Sequence, residues 1–226
     1  MDFETVIRTT GAVREFLPEP VPDEVLYQIL DQARFAPSGG NRQGWRIVVV
    51  RDRAVRKRLA EIATEPFRLY LAQVAAGEAP WNTINPSKVT PEDVARTRVD
   101  FPLLLNLDDP QKVPTLLLLA VDLSVVASID QHLPRIGVIS GASVYPFAWS
   151  ILLAARNLGY GGVLATFIAP GEAEIRDMVG LPPNFAVCGM IPLGRPVKQV
   201  TKLKRKRVEE FASWDRYDGA PVVPGG

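Results

Sequence analysis

Strands and helices alternate along this chain, which predicts a central sheet sandwiched between helices, an α/β or α+β fold. Three observations carry that prediction. "WRIVVV" (45–50), "TLLLLAVD" (115–122) and "FAVCGMIPLG" (185–194) are continuous apolar runs of the kind that form strands covered on both faces. Between such runs lie residues at helical spacing, with Val25, Leu26, Ile29, Leu30 and Ala33 on one face. The uncharged stretch Ile136 to Ala155 is hydrophobic all round, the mark of a helix buried on every side.

From the amino terminus, Asp2 caps a short helix carrying Phe3, Val6 and Ile7. "VREFLPEPVP" (13–22) is extended, and Pro22 suits the first turn of the next helix. That helix ends before "PSGGN" (37–41), whose proline, serine, glycines and asparagine exceed what a plain turn requires. After the first strand, Asp52 caps a helix predicted to run through Ala63, with Val55, Leu59 and Ile62 facing inward. From Pro66 to Pro114 prolines and aromatic residues interrupt any period, so residues 65–112 are expected to form a lid or binding segment. The strand 115–122 leads into the long uncharged helix, expected to reach about Leu158.

"GYGGVLATFIA" (159–169) reads as a glycine-rich turn into a third strand. Glu172 to Val179 reads as a helix closed by Gly180, Pro182 and Pro183, and 185–194 as the fourth strand. The tail is basic in "KQVTKLKRKR" and strand-like in "VEEF". It shows no core partner in its own chain and is expected to wrap a second subunit. No repeat or linker divides residues 1–226, which are read as one domain.

Composition removes several kinds of chemistry. With 226 residues, 47% apolar and 23% charged, the chain has the make-up of a folded globular protein. A formal net charge of +1 gives no global field toward nucleic acid or an anionic membrane, so neither is expected as a partner. Cys188 is the single cysteine, which rules out a CxxC pair or an intrachain disulfide. His132 is the single histidine, so no multi-histidine metal site is expected from one chain. A Ser-His-Asp triad would have to use His132, which lies in a polar connecting segment. The hard chemistry of an enzyme built this way belongs to a cofactor. "MDFETVIRTT" has two acids in its first four residues and no apolar signal region, and a cytoplasmic protein is expected. The 20-residue run 136–155 is long enough to span a bilayer, but its glycines, serines and proline, flanked by Arg135 and Arg156, favour a buried helix.

Four segments offer backbone N–H groups, small side chains or fixed positive charge: "RTTGAVR" (8–14), "PSGGN" (37–41), "GYGGVLAT" (159–166) and "KLKRKR" (202–207). None is a P-loop, and no GxGxxG follows a strand. Arginines beside a threonine pair, with a distant basic run, suit a phosphate dianion.

Together these segments resemble the FMN-dependent nitroreductase family. "RTTGAVREFLPEPVPDEVLYQILDQARFAPSGGNRQGWRIVVV" is similar to its amino-terminal region, with a basic R-x-F before P-V, a helix, A-P-S and a tryptophan opening a strand. "ILLAARNLGYGG" is similar to its central helix and flavin-proximal turn, and "IPLGRPVKQVTKLKRKRVEEF" to its last strand and basic end. The likeness covers most of the chain outside about 65–112. It implies an α+β fold with a central mixed sheet between helices, in a homodimer with exchanged carboxy-terminal tails and two FMN sites at the interface.

By the same resemblance, Pro37, Ser38, Gly39, Gly40 and Asn41 lie against the flavin. Arg14 and Arg205 bind its phosphate, with Arg8 and Thr10 nearby, and Leu164, Ala165 and Thr166 line the ring. The family often has R-R-S just before the residue matching Val13. This chain has Thr10, Gly11 and Ala12 there, and Arg8 stands one turn earlier. The implied activity is NADH- or NADPH-driven reduction of a small electron acceptor such as a quinone or nitroaromatic. Reductive dehalogenation, flavin breakdown and non-catalytic flavin binding are the alternatives. No side chain stands out as a general acid or base; Tyr70, Trp81 and Phe101 in the middle segment are candidates for stacking, with core or surface packing the first expectation for each.

Overall fold

Leucines at 116 and 118 face one layer of core and those at 117 and 119 face the other, because side chains alternate along a strand. They belong to β2 (Thr115–Asp122), which pairs antiparallel with β4 (Phe185–Gly194), Leu118 opposite Met190. β1 (Trp45–Val49) flanks β2 and the two-residue β3 (Gly161–Gly162) flanks β4, giving the order β1-β2-β4-β3 with every pairing antiparallel. A parallel bridge from Ala12 to Gly162 gives the sheet its mixed character. The computed structural model describes residues 1–224.

Helices cover both faces, as the apolar runs require. On one side α2 (Asp23–Ala33) and α6 (Tyr145–Asn157) pack Ile29, Phe147 and Ile151 against Leu117, Leu119 and Ile191. On the other, α3 (Arg53–Ala75) and α7 (Glu172–Val179) pack Leu59, Ala63 and Ile175 against Leu116, Leu118 and Met190. Each fully buried leucine contributes about 1.5–3 kcal/mol of hydrophobic stabilisation. α1 (Phe3–Thr9) is capped by Asp2, whose carboxylate accepts from Thr5 N at 2.8 Å, and α3 by Asp52, which accepts from Val55 N at 2.9 Å. Short helices α4 (Pro91–Arg96) and α5 (Pro102–Leu105) occupy the middle segment.

The structure corrects the sequence reading in five places. α3 does not stop at Ala63; it continues through Pro66 to Ala75, giving up one internal hydrogen bond at the proline. Phe67 on the added turns is buried, and that packing outweighs the lost bond. The expected long helix from Ile136 begins instead at Tyr145, after a 3-10 turn over Ile139–Ser143. Pro146 stands in the first turn, where its missing N–H costs no internal hydrogen bond, and so it suits the start of the helix. The third strand is regular only over Gly161–Gly162, touches β4 once more at Ala165, and then gives way to turns in which Ala169 N bonds Thr166 O and Gly171 N bonds Ile168 O. "VEEF" opens as a 3-10 turn over Val208–Glu210, with Glu210 accepting from Arg207 N at 2.8 Å.

The fifth correction concerns the tail, part of which does find partners at home. Leu17 N donates to Arg195 O, Val197 N to Glu15 O, and Gln199 Nε2 to Thr9 O. Beyond Arg207 it forms a small hairpin bridged from Ser213 to Pro221, with Phe211, Trp214 and Tyr217 exposed.

Candidate functional site

Ala165 is fastened to β4 by both of its backbone groups: its N–H donates to Met190 O at 2.9 Å and its carbonyl accepts from Met190 N at 2.8 Å. The backbone N–H groups on either side take no part in this pairing. Among the described residues, the N–H groups of Leu164 and Thr166 and the Thr166 hydroxyl have no protein acceptor. Thr166 is exposed and Leu164 and Ala165 are half-buried. The segment is thus a rigid edge with free donors, the property a planar polar ring requires of its support.

That edge forms one wall of a cavity of about 460 Å³. Arg14, Tyr70, Phe101 and Phe167 line the same cavity, with Phe67 behind them. The aromatic rings contact one another: Phe67 stacks on Phe101 with centroids 4.7 Å apart, and Tyr70 meets Phe167 edge-on at 5.5 Å. Arg14 is exposed and makes no ion pair among the described residues. Tyr70 and Phe101 thus line this cavity while packing against neighbouring rings. Trp81 does not line this cavity; its N–H donates to Gln73 Oε1 at 3.1 Å in a separate part of the middle segment.

The amino-terminal and tail segments meet along one flank. A Cβ on Gly11 would lie 3.0 Å from both Val200 Cγ1 and Leu203 Cδ2, so this glycine lets the tail lie flat on residues 9–17. Val13 N donates to Gly162 O at 2.9 Å, joining the same flank to β3. Arg205 follows Leu203 by two residues. Its guanidinium donates only to Lys204 O, at 2.8 Å, and has no carboxylate partner among the described residues. Arg8 and Thr10 are otherwise engaged. Arg8 pairs with Glu4 at 2.8 Å, and the Thr10 hydroxyl and N–H both donate to Val6 O.

The loop 37–41 is placed elsewhere, and none of its residues lines the aromatic cavity. Pro37 leads into a 3-10 turn over Gly39–Asn41, with Gly40 at φ 60° and Asn41 at φ 54°. Ser38 Oγ accepts from Gln43 N at 2.9 Å, and Gly39 N donates to Ser143 Oγ at 3.1 Å. Two successive left-handed residues in an exposed loop, fixed at both ends, make a shaped and presented surface. Within one chain, then, Arg14, Leu164, Ala165 and Thr166 are brought together, the tail lies beside residues 8–14, and 37–41 remains apart.

Sequence reasoning missed Phe67, Leu103, Leu104 and Phe167 as cavity residues. Phe67 and Tyr70 stand three apart on α3, a helical spacing that was legible had the helix been carried past Pro66. Cys188 takes no part: burial pushes its thiol up to about 12, which leaves it protonated and unreactive near neutrality. His132 is exposed. Among the described residues no group of His, Cys, Asp or Glu could hold a metal, and no helix is long and apolar enough to cross a membrane.

Known proteins resemble this chain over nearly its full length. It is 28% identical over 214 residues to an NADH dehydrogenase of Thermus thermophilus, covering 95% of this chain and 96% of that one. It is 26% identical over 212 residues to an iodotyrosine deiodinase of Hydra vulgaris, covering 93% of this chain and 71% of that one. A solved structure of oxidized iodotyrosine deiodinase bound to FMN and 3-iodo-L-tyrosine superposes with a TM-score of 0.62 at 24% identity, covering 90% of this chain and 94% of that chain. The model of the Nitroreductase family matches residues 7–195. The mixed α+β fold and this match agree, and the chain belongs to the Nitroreductase family.

Proposed function

We propose that the protein is an FMN-dependent oxidoreductase that takes electrons from NADH or NADPH and passes them to a small aromatic acceptor, a nitroaromatic or a quinone. One observation carries this reading: a rigid edge with unpaired N–H groups, Leu164–Thr166, borders an aromatic-walled cavity that also holds the unpaired Arg14. Those donors suit the carbonyls and nitrogens of an isoalloxazine, and Arg14 with the unpaired tail cation Arg205 suits its phosphate. When bound, FMN supplies the hydride and electron chemistry. Leu164–Thr166 would hold the ring, Arg14 and Arg205 would neutralise the phosphate, and Tyr70, Phe101 and Phe167 would form the aromatic wall against which the acceptor stacks.

The site is completed by a second copy of the chain. Pro37–Asn41 is shaped and exposed yet has no cavity residue to serve at home, and in a dimer it reaches the flavin of the partner. Exposed Phe211, Trp214 and Tyr217 in the tail supply apolar surface for that contact.

Reductive dehalogenation is the second reading, favoured by the likeness to iodotyrosine deiodinases. The cavity argues for the first: its lining holds a single cation, Arg14, and no carboxylate to meet the ammonium group of an amino acid. The test is the absorbance spectrum of the purified protein with FMN, before and after NADH and, separately, NADPH, followed by addition of a quinone, a nitroaromatic or a halotyrosine. Bleaching by either nucleotide and reoxidation by the first two support the proposal. Reoxidation by halotyrosine alone selects the second reading, and an unbleached flavin overturns both.

A further inference from the structure

A cation with no counter-ion is buried where α2, β1 and α3 meet. Arg56, in the first turn of α3, is 2% exposed. Its Nη2 donates to the carbonyl of Val113 at 2.5 Å, and its Nε is buried with no partner. No carboxylate pairs with it among the described residues. Asp108 and Asp109 act on it only through space, and both are engaged elsewhere: Asp108 lies 3.9 Å from Arg53 Nη2, and Asp109 accepts from Gln111 N at 2.9 Å. Burial accordingly pulls the Arg56 pKa below its ordinary value. A buried charge left in this condition is costly unless something compensates it.

Arg56 lines a cavity of about 350 Å³ between Val50, Leu26 and Pro114. Thr115, 8% exposed at the start of β2, lines it too, and its hydroxyl has no partner among the described residues. Arg51 and Asp23, paired with each other, stand among the lining residues and are largely exposed, so the charged lining is two arginines against one carboxylate. No residue of this lining belongs to the aromatic cavity.

We propose that this cavity binds a small oxyanion, a phosphate or carboxylate group received by the guanidinium of Arg56 and the hydroxyl of Thr115. The two side chains present spare donors, a planar fork and a hydroxyl, which is the set an oxyanion requires. A cavity of this size admits the anionic group with a few attached atoms. The anion would tie the start of α3 to the start of β2, and so stiffen the junction between helix layer and sheet.

The test uses the FMN-saturated protein, so that the flavin-phosphate site is already filled. Thermal unfolding is followed with increasing phosphate, acetate and chloride at fixed ionic strength. Saturable stabilisation by phosphate assigns a phosphate-type ligand, by acetate a carboxylate, and both outcomes support the site. Thr115→Val should weaken the apparent affinity about five- to ten-fold, and Arg56→Lys, which keeps the charge and loses the fork, about ten-fold or more. Lys57→Ala, an exposed cation on the same helix outside this lining, should leave the response unchanged. A crystal soaked in selenate should show the anion beside Arg56. Stabilisation that never saturates, or that is the same in Thr115→Val and Arg56→Lys, overturns the proposal, as does a soaked crystal with water alone at Arg56.

Discussion

A Cβ on Gly189 would stand 2.8 Å from the carbonyl oxygen of Ala165, and Gly189 holds φ at 146°. This residue on β4 is what lets the donor edge of the cavity lie against the sheet. Gly189→Ala adds a contact that real Cβ atoms do not make and a backbone angle that other residues resist. The expected cost is about 1–3 kcal/mol of stability. FMN affinity should fall with it, because Leu164–Thr166 shifts. Urea unfolding and flavin titration of this variant check both expectations.

Arg205→Ala should weaken FMN binding about ten- to a hundred-fold, the worth of one charge-assisted hydrogen bond to a dianion. Lys202→Ala should cost little, because an exposed lysine near an anion is largely screened. Riboflavin lacks the phosphate and should bind the wild type and Arg205→Ala equally. Equal loss of both ligands would assign the tail a structural role instead.

Tyr70→Ala should raise KM for aromatic acceptors about two- to ten-fold, from the loss of roughly 0.5–1.5 kcal/mol of ring contact. FMN affinity should not change if Tyr70 meets the acceptor, as proposed, and not the flavin. Phe67→Ala is a different experiment: Phe67 is buried, and its truncation should cost about 3–5 kcal/mol of stability. Steady-state kinetics with a quinone and a thermal melt of each variant separate the two roles.

Sedimentation should find a dimer. Trp214→Ala combined with Tyr217→Ala removes exposed apolar area from the tail hairpin and should raise the dimer dissociation constant. FMN affinity should fall at low protein concentration and recover at high concentration, if Pro37–Asn41 reaches the partner's site. A flavin-bound wild-type monomer would contradict the exchanged arrangement.

Asp130 ties down the segment after β2. Its carboxylate accepts from Val138 N at 2.8 Å and from Arg135 Nη1 at 2.7 Å, and these bonds hold its pKa below the ordinary aspartate value. A folded pKa below the unfolded value of about 3.9 gives stability that is complete above that pH and is lost as pH falls through the lower, folded value. Asp130→Asn should lose this contribution at neutral pH and show a flatter acid limb. Urea midpoints measured across the acid range supply the comparison.

Local and periodic features were legible without coordinates. β2 and α7 lie where their residue patterns put them, and Asp2 and Asp52 cap their helices, because strand burial and helix capping depend on neighbours in sequence. The basic tail and the small-residue segments also stood out as candidate binding elements. Pro66 misled, since a proline ends most helices; only the burial of Phe67 among aromatic partners explains why α3 continues past it.

What the sequence determined by itself was the class of fold and which segments carry polar backbone and charge; both are written in residue type and spacing. What the tertiary structure decided was adjacency. It put Leu164–Thr166 beside Arg14 and the rings of Tyr70, Phe101 and Phe167, laid the tail on Gly11, and kept Pro37–Asn41 away from that cavity. It also buried Arg56 without a counter-ion. Such contacts join residues far apart in the chain, and they are fixed by how the helices pack on the two faces of the sheet. No local pattern encodes that packing.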